Sequence, residues 1–171
     1  IFVSGTIGDA GLGLSLRTKA PETASWPISE TERAELVARY LRPAPKLPLI
    51  GPLRAHARAA MDLSDGLVKD LDRLCRASGV GAAIRLADIP LSPASQALCG
   101  ADPTWRRRLV TAGDDYEVLC TVDPAEADAF TRELVTAGKD YHYDDAPESI
   151  VNIGTGARTF TDAECVALKA R

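Results

Sequence analysis

The strongest periodic pattern in the chain runs from residue 67 to residue 78. Leu67, Val68, Leu71, Leu74 and Cys75 recur at offsets 0, 1, 4, 7 and 8, and Lys69, Asp70, Asp72, Arg73 and Arg76 occupy the other side. That spacing predicts an amphipathic helix, stopped by Ser78-Gly79. An apolar stretch over 57–61 predicts a strand just ahead of it. Strand and helix are joined by Asp62-Leu63-Ser64-Asp65-Gly66, two carboxylates three residues apart with a hydroxyl between them. The junction is expected to place oxygen ligands and free backbone N–H groups at one rim, well formed in the folded chain.

The remaining pattern alternates in the same way. Ile1-Phe2-Val3-Ser4 predicts a short strand closed by Gly5. Glycines at 8, 11 and 13, with leucines between, predict a tight turn into a closely packed helix. They match neither a P-loop nor a dinucleotide fingerprint, because no Gly-Lys-Ser/Thr occurs and the spacing is not G-x-G-x-x-G. Residues 17–29 are polar with prolines at 21 and 27 and read as a loop. Ser29 and Glu32 form a capping box, and Leu36, Val37, Tyr40 and Leu41 are the stripe of the helix that follows. Pro43, Pro45 and Pro48 end that helix and impose an extended segment. A short helix is expected within 51–58, a strand over 80–86, a turn over 89–93 and helices over 93–98 and 103–111. Tyr116, Val118, Cys120 and Val122 alternate as a strand, and Pro124 suits the first turn of a helix over 125–137. Residues 139–160 read as short strands with turns at Asp144-Asp145 and Gly154-Thr155-Gly156, and 163–169 as a last short helix. Helices alternating with strands indicate a layered α/β or α+β domain.

Composition narrows the function more than the fold. The 171 residues suffice for one well-packed domain and not two. A formal charge of −4 argues against a nucleic-acid binder with a basic surface, and Arg106-Arg107-Arg108 reads as a solvated helix face. No apolar run reaches membrane-span length, and no signal segment opens the chain. Cys75, Cys99, Cys120 and Cys165 form no C-x-x-C pair and read as buried thiols of a cytoplasmic protein. His56 and His142 lack metal-ligand spacing. The chain opens at Ile1 inside a strand pattern, so it reads as a piece of something longer.

Two acidic clusters carry the candidate chemistry. Asp62 and Asp65 could give Mg²⁺ two oxygens, with waters and substrate phosphates completing the shell. Ser64 could contact a phosphate, and Gly66 would let the backbone come close. A helix cap, contributing about 1 kcal/mol, accounts equally well for Ser64 or Asp65, but does not account for Asp62, since a carboxylate ending an apolar strand is costly unless used. Gly113-Asp114-Asp115-Tyr116-Glu117 reads either as turn residues before a strand or as the second half of a converging rim.

Five stretches then occur together and in order: Val3-Ser4-Gly5-Thr6-Ile7-Gly8-Asp9, Met61-Asp62-Leu63-Ser64-Asp65-Gly66-Leu67, Ser78-Gly79-Val80-Gly81-Ala82, Ile89-Pro90-Leu91-Ser92 and Gly113-Asp114-Asp115-Tyr116-Glu117-Val118. As a set they resemble the thiamine-monophosphate kinase family, in the superfamily of aminoimidazole ribonucleotide synthetase, selenophosphate synthetase and a hydrogenase-maturation protein. The resemblance implies an α+β fold, with a three-layer α-β-α domain around a mixed β-sheet like the C-terminal domain of aminoimidazole ribonucleotide synthetase. It implies residues 1–171 as that single domain, with the ATP- and metal-binding N-terminal half of the family absent and the piece alone inactive. It implies transfer of the γ-phosphoryl group of ATP to thiamine monophosphate with Mg²⁺, without a protein nucleophile. Asp62 and Asp65 correspond to Mg²⁺ ligands, Ser64 to an ATP-phosphate contact and Asp114 to a substrate contact where the family usually has Glu. The expected partners are thiamine monophosphate and ATP, with no nucleic acid and no membrane, in a cytoplasmic homodimer when full length. The chain departs from the family in its missing half, in having no aromatic residue after Phe160, and in Tyr141-His142-Tyr143-Asp144-Asp145. Another synthetase of the superfamily and a non-catalytic ligand-binding domain are the alternatives.

Overall fold

The computed structural model describes residues 1–136 in full, the helical backbone of 137–139, and the backbone of 151–152, 154–155 and 165–168. The elements in order are β1 (Phe2–Val3), α1 (Asp9–Arg17), α2 (Glu30–Leu41), α3 (Ile50–His56), β2 (Ala57–Asp62), α4 (Leu67–Ser78), β3 (Ala82–Arg85), α5 (Pro93–Ala101), α6 (Trp105–Leu109), β4 (Val118–Val122), α7 (Ala127–Lys139), β5 (Val151–Asn152), β6 (Gly154–Thr155) and β7 (Cys165–Leu168).

Four strands form one sheet in the order β2-β4-β1-β5, and three form another in the order β6-β3-β7. Every pairing among the described residues is antiparallel, where the resemblance implies a mixed sheet. The reason lies in β4, which stands between β1 and β2 and runs opposite to both. The register sets Val3 against Leu119 and Asp62 against Val118. The C-terminal ends of β1 and β2 therefore meet the start of β4 at one rim.

The layers follow from the two-residue period of the strands. Val3 and Leu119 are buried in one core with Ile7, Leu63, Leu67 and Leu71. Their neighbours Phe2 and Cys120 are buried in a second core with Leu49, Phe130 and Leu134. Phe2 meets Phe130 edge to face at 5.2 Å. Helix α7 and the short α3 thus cover one face of the sheet, and the α1 and α4 side covers the other. The α+β class and its three layers are those the resemblance implies.

Local chemistry explains most of the elements. The capping box is formed: Ser29 Oγ accepts from Glu32 N at 3.2 Å and Ser29 N donates to Glu32 Oε2 at 2.7 Å. Helix α4 ends at Gly79, whose φ of +64° suits glycine at a helix C-terminus. The expected loop 17–29 contains a 3-10 turn, Pro21–Ser25. The expected last helix is instead strand β7, which pairs with β3 from Ala82–Leu168 to Arg85–Cys165. A short apolar run gains more from an open sheet edge than from one isolated helical turn. Gly154-Thr155 lies in β6 rather than in a turn. The Asp144-Asp145 turn and the side chains of His142 and Cys165 lie outside the described residues. Cys75, Cys99 and Cys120 are free thiols. Arg107 and Arg108 are exposed as expected, but Arg106 is half-buried and donates to the Leu86 carbonyl at 2.7 Å. No helix among the described residues is long and apolar enough to cross a membrane.

The glycine-rich turn packs as its spacing predicts. A Cβ on Gly13 would stand 2.1 Å from the Leu36 carbonyl oxygen of α2, whereas one on Gly51 would meet nothing within 4 Å. Gly13→Ala should therefore destabilise the chain by about 1–3 kcal/mol. Gly51→Ala, at an exposed position of α3, should be neutral or stabilise by about 0.5–1 kcal/mol. Chemical denaturation of the two variants against the parent checks the contrast.

Candidate functional site

The strand register continues past the strand ends and binds the two acidic loops side by side. Leu63 N donates to Glu117 O at 2.8 Å, Tyr116 N to Leu63 O at 2.8 Å and Asp114 N to Ser64 O at 2.9 Å. Glycine is required where the loops touch. A Cβ on Gly113 would lie 2.6 Å from Ser64 O, and one on Gly66 would lie 2.8 Å from Thr111 O. Gly66 also has φ +103°, a conformation that side chains resist. Asp114 and Tyr116 themselves hold left-handed backbones, φ +68° and +51°. Such conformations persist where surrounding bonds over-determine them. Tyr116 is exposed and precedes the strand, which starts only at Val118.

A residue the periodicity placed on the polar side of α4 organises the first loop. Asp70 is fully buried. Its Oδ2 accepts from Ser64 N at 3.0 Å and Asp65 N at 2.9 Å, and its Oδ1 accepts from Arg73 Nη1 at 2.8 Å. Two expectations change as a result. The amides of Ser64 and Asp65 are engaged by Asp70 rather than open at the rim. Neither Ser64 nor Asp65 caps α4, because the N-cap is Gly66 and no side chain caps it.

The sequence-predicted site residues divide accordingly. Asp62 ends β2 at the sheet edge and is exposed, so its carboxylate carries no burial cost, contrary to the argument from its apolar strand. Ser64 is half-buried. Asp65 is exposed, and its Oδ2 pairs with Lys69 Nζ at 3.0 Å and with Arg73 Nη2. Hydrogen bonds from Lys69 and then Arg73 hold the Asp65 carboxyl below the usual range. Asp114 is half-buried beside Ser64. Asp62, Ser64, Asp65 and Asp114 thus share one rim.

The neighbouring carboxylates of the second cluster are structural anchors. Asp115 Oδ2 accepts from Gly8 N at 2.7 Å and its Oδ1 from Ala10 N at 3.0 Å, closing the start of α1. The residue is part-exposed but its carboxyl is enclosed, and burial pushes that group up to about 7 against those two donors. Glu117 is buried against Ser4 Oγ at 2.5 Å and Lys46 Nζ at 2.8 Å. Asp9, also buried, accepts from Ser92 and Ser95 at 2.7 Å each and faces Arg39 at 3.4 Å. Two amides at the start of α1, those of Gly8 and Ala10, are therefore committed to Asp115. No sequence spacing announces Asp9, Asp70 or Asp115, since each acts on a loop that folding brings back to it.

No group of three or more His, Cys, Asp or Glu among the described residues could hold a metal. Asp62 and Asp65 are exposed carboxylates, the donor type that Mg²⁺ takes together with waters and phosphate oxygens.

Residues 1–142 match the family described as AIR synthase related protein, C-terminal domain. The chain belongs to this family. The thiamine-monophosphate kinase of Caulobacter vibrioides is 41% identical over 133 residues, covering 76% of this chain and 36% of that protein. The crystal structure of thiamine-monophosphate kinase from Stenotrophomonas maltophilia K279a has a TM-score of 0.72 at 33% identity, covering 90% of this chain and 45% of that one. The structure of AaThiL complexed with AMPPCP and TMP has a TM-score of 0.64 at 28% identity, covering 90% of this chain and 43% of that one. The chain spans about a third of the length of the curated relatives it matches.

Two outcomes test the rim's construction. Asp70→Asn leaves one acceptor where two amides and Arg73 require a carboxylate. It should cost about 2–4 kcal/mol, with loss of amide-exchange protection at Ser64 and Asp65. The Asp115 carboxyl titrates higher in the folded chain than the ordinary aspartate value of 3.8. Between those values the native state binds more protons, so this group's contribution to stability is full below about pH 4 and falls as pH rises towards 7. Asp115→Asn should flatten that part of the stability–pH profile, and an unchanged slope would remove the assignment.

Proposed function

We propose that this chain is the C-terminal part of an ATP-dependent thiamine-monophosphate kinase, a transferase that converts thiamine monophosphate to thiamine diphosphate. The observation that carries the reading is the joining of the two acidic loops, through Asp114 N to Ser64 O, at a single rim. The Caulobacter relative and the AaThiL complex with a nucleotide analogue support the substrate class.

In this reading Asp62 and Asp65 hold Mg²⁺, Ser64 contacts the ATP phosphates and Asp114 contacts the acceptor. When bound, Mg²⁺ neutralises phosphate charge and helps align donor with acceptor. The protein's own part is positional. Asp70 holds Ser64 and Asp65 through their amides, so their side chains remain at the rim. The Gly113 contact holds Asp114 against Ser64 with no intervening side chain. Phosphoryl transfer of this kind needs no protein nucleophile, and alignment and electrostatics carry it. The rim provides two candidate metal carboxylates, so the working enzyme takes further ligands from the N-terminal half found in the longer relatives. On the family resemblance the full-length protein is a cytoplasmic homodimer, and the 171-residue piece alone is inactive.

Coupled ATP-consumption assays test the reading on the protein that carries both halves. Turnover with thiamine monophosphate and Mg²⁺ is expected, and Asp62→Asn should lower kcat by about 100-fold or more, since it removes charge stabilisation at the phosphates. Absence of turnover at saturating metal and substrates, or preference for an unrelated acceptor, would sink it.

A further inference from the structure

We propose that Lys69 and Arg73 bind the polyphosphate, and that their ion pairs with Asp65 are a resting arrangement which a divalent cation displaces. This rests on the reading of the rim as a metal–nucleotide site.

The rim needs cations that its other groups do not supply. Asp62, Asp65 and Asp114 are carboxylates, and the amides of Ser64 and Asp65 are occupied by Asp70. Of the cations near the neighbouring carboxylates, Lys46 stands on Glu117 and Arg39 on Asp9, and Arg42 lines the cavity beside them rather than the Asp65 loop. A polyphosphate arriving at such a surface meets repulsion unless metal and side-chain cations offset it.

Lys69 and Arg73 stand where that offset is required. Both pair with the same oxygen of Asp65, Oδ2, and both remain exposed. Lys69 lies in the first turn of α4, where the helix dipole disfavours a positive charge. Its i,i+4 pair with Asp65 offsets that cost and ties the lysine to the loop carboxylate. An exposed ion pair is weak, so a metal that takes the Asp65 carboxylate displaces it at small cost.

The two cations differ in how they are held. Arg73 Nη1 is fixed to buried Asp70 at 2.8 Å, the same carboxylate that fixes the Ser64 amide. Loss of Asp65 leaves its guanidinium in place with Nη2 released, beside the loop that carries Ser64. Lys69 has Asp65 as its ion-pair partner and a flexible stem, so its ammonium is free to follow the phosphate.

Binding measurements on the protein that carries both halves test this without reference to turnover. Mn²⁺ alone, followed by electron paramagnetic resonance, reads the carboxylates. Inorganic pyrophosphate with saturating Mg²⁺, followed by calorimetry, reads the cations. Lys69→Met should tighten Mn²⁺ binding about threefold or more and weaken pyrophosphate binding by a similar factor, the size expected of an exposed pair. Adding Arg73→Gln should extend both changes, with thermal unfolding recorded to separate any loosening of the Asp70 contact. An ion pair serving stability alone would leave pyrophosphate affinity unmoved in Lys69→Met, and that result overturns the proposal. Mn²⁺ affinity that Asp62→Asn leaves unchanged would remove the metal reading of the rim and the proposal with it. Mn²⁺ binding that Lys69→Met leaves unchanged would remove the proposal alone.

Discussion

The buried carboxylate of Asp70 takes the amide hydrogens of Ser64 and Asp65 and one arm of Arg73, and the geometry of the rim depends on that arrangement. A charge buried to this depth is tolerable only when its lone pairs are met by good donors. Here the donors are the very groups that must be positioned. The carboxylate turns the chain back between β2 and α4, and Gly66 admits the turn because a side chain there would strike the Thr111 carbonyl. Asp65 and Ser64 are thereby left with side chains that do not cap the helix.

The second loop is held by the same kind of device. Asp115 reaches across to the start of α1, and Glu117 reaches to Ser4 and Lys46. Each buried carboxylate anchors one loop to a neighbouring element, and the exposed or half-buried acid beside it remains available. Asp65 beside the Asp70 anchor, and Asp114 beside Asp115, are the two instances. Alternation of anchoring and presenting carboxylates explains how a chain with net negative charge keeps several acids close together. Backbone N–H groups and paired cations offset much of the charge on the anchors, although Asp9 and Glu117 still push the Asp115 carboxyl up.

The sheet converts these local devices into one site. β1 and β2 both run towards the rim and β4 runs from it, so loops far apart in the chain emerge side by side. Cores on both faces of the sheet hold the strands in this register, because a slip by one residue would exchange Phe2 with Val3 and Leu119 with Cys120 between two different packings. The family match over residues 1–142 includes the whole of this arrangement.

Much of the plan was legible from local pattern. The period of Leu67, Leu71 and Leu74 gave α4, Ser29 and Glu32 gave the start of α2, and the glycines at 8, 11 and 13 gave close packing at α1. These are effects of neighbouring residues, and spacing records them. The two acidic stretches also stood out as chemistry, and the structure places them together. What spacing did not record was the division of labour among the acids. Asp70 lay on the polar side of a helix in the pattern yet is fully buried, and Asp62 ended an apolar run yet is exposed. Cys165 to Leu168 likewise became a strand because β3 offered an edge. For Asp70 and β7 the deciding partner is a backbone group on a returning segment, and for Asp62 it is the place of β2 at the sheet edge. The sequence by itself determined which elements form and which residues could do chemistry, since helix period, caps and turn residues act locally. Only the tertiary structure decided which carboxylates anchor and which are presented, because burial and hydrogen-bond partners exist only once the loops have met.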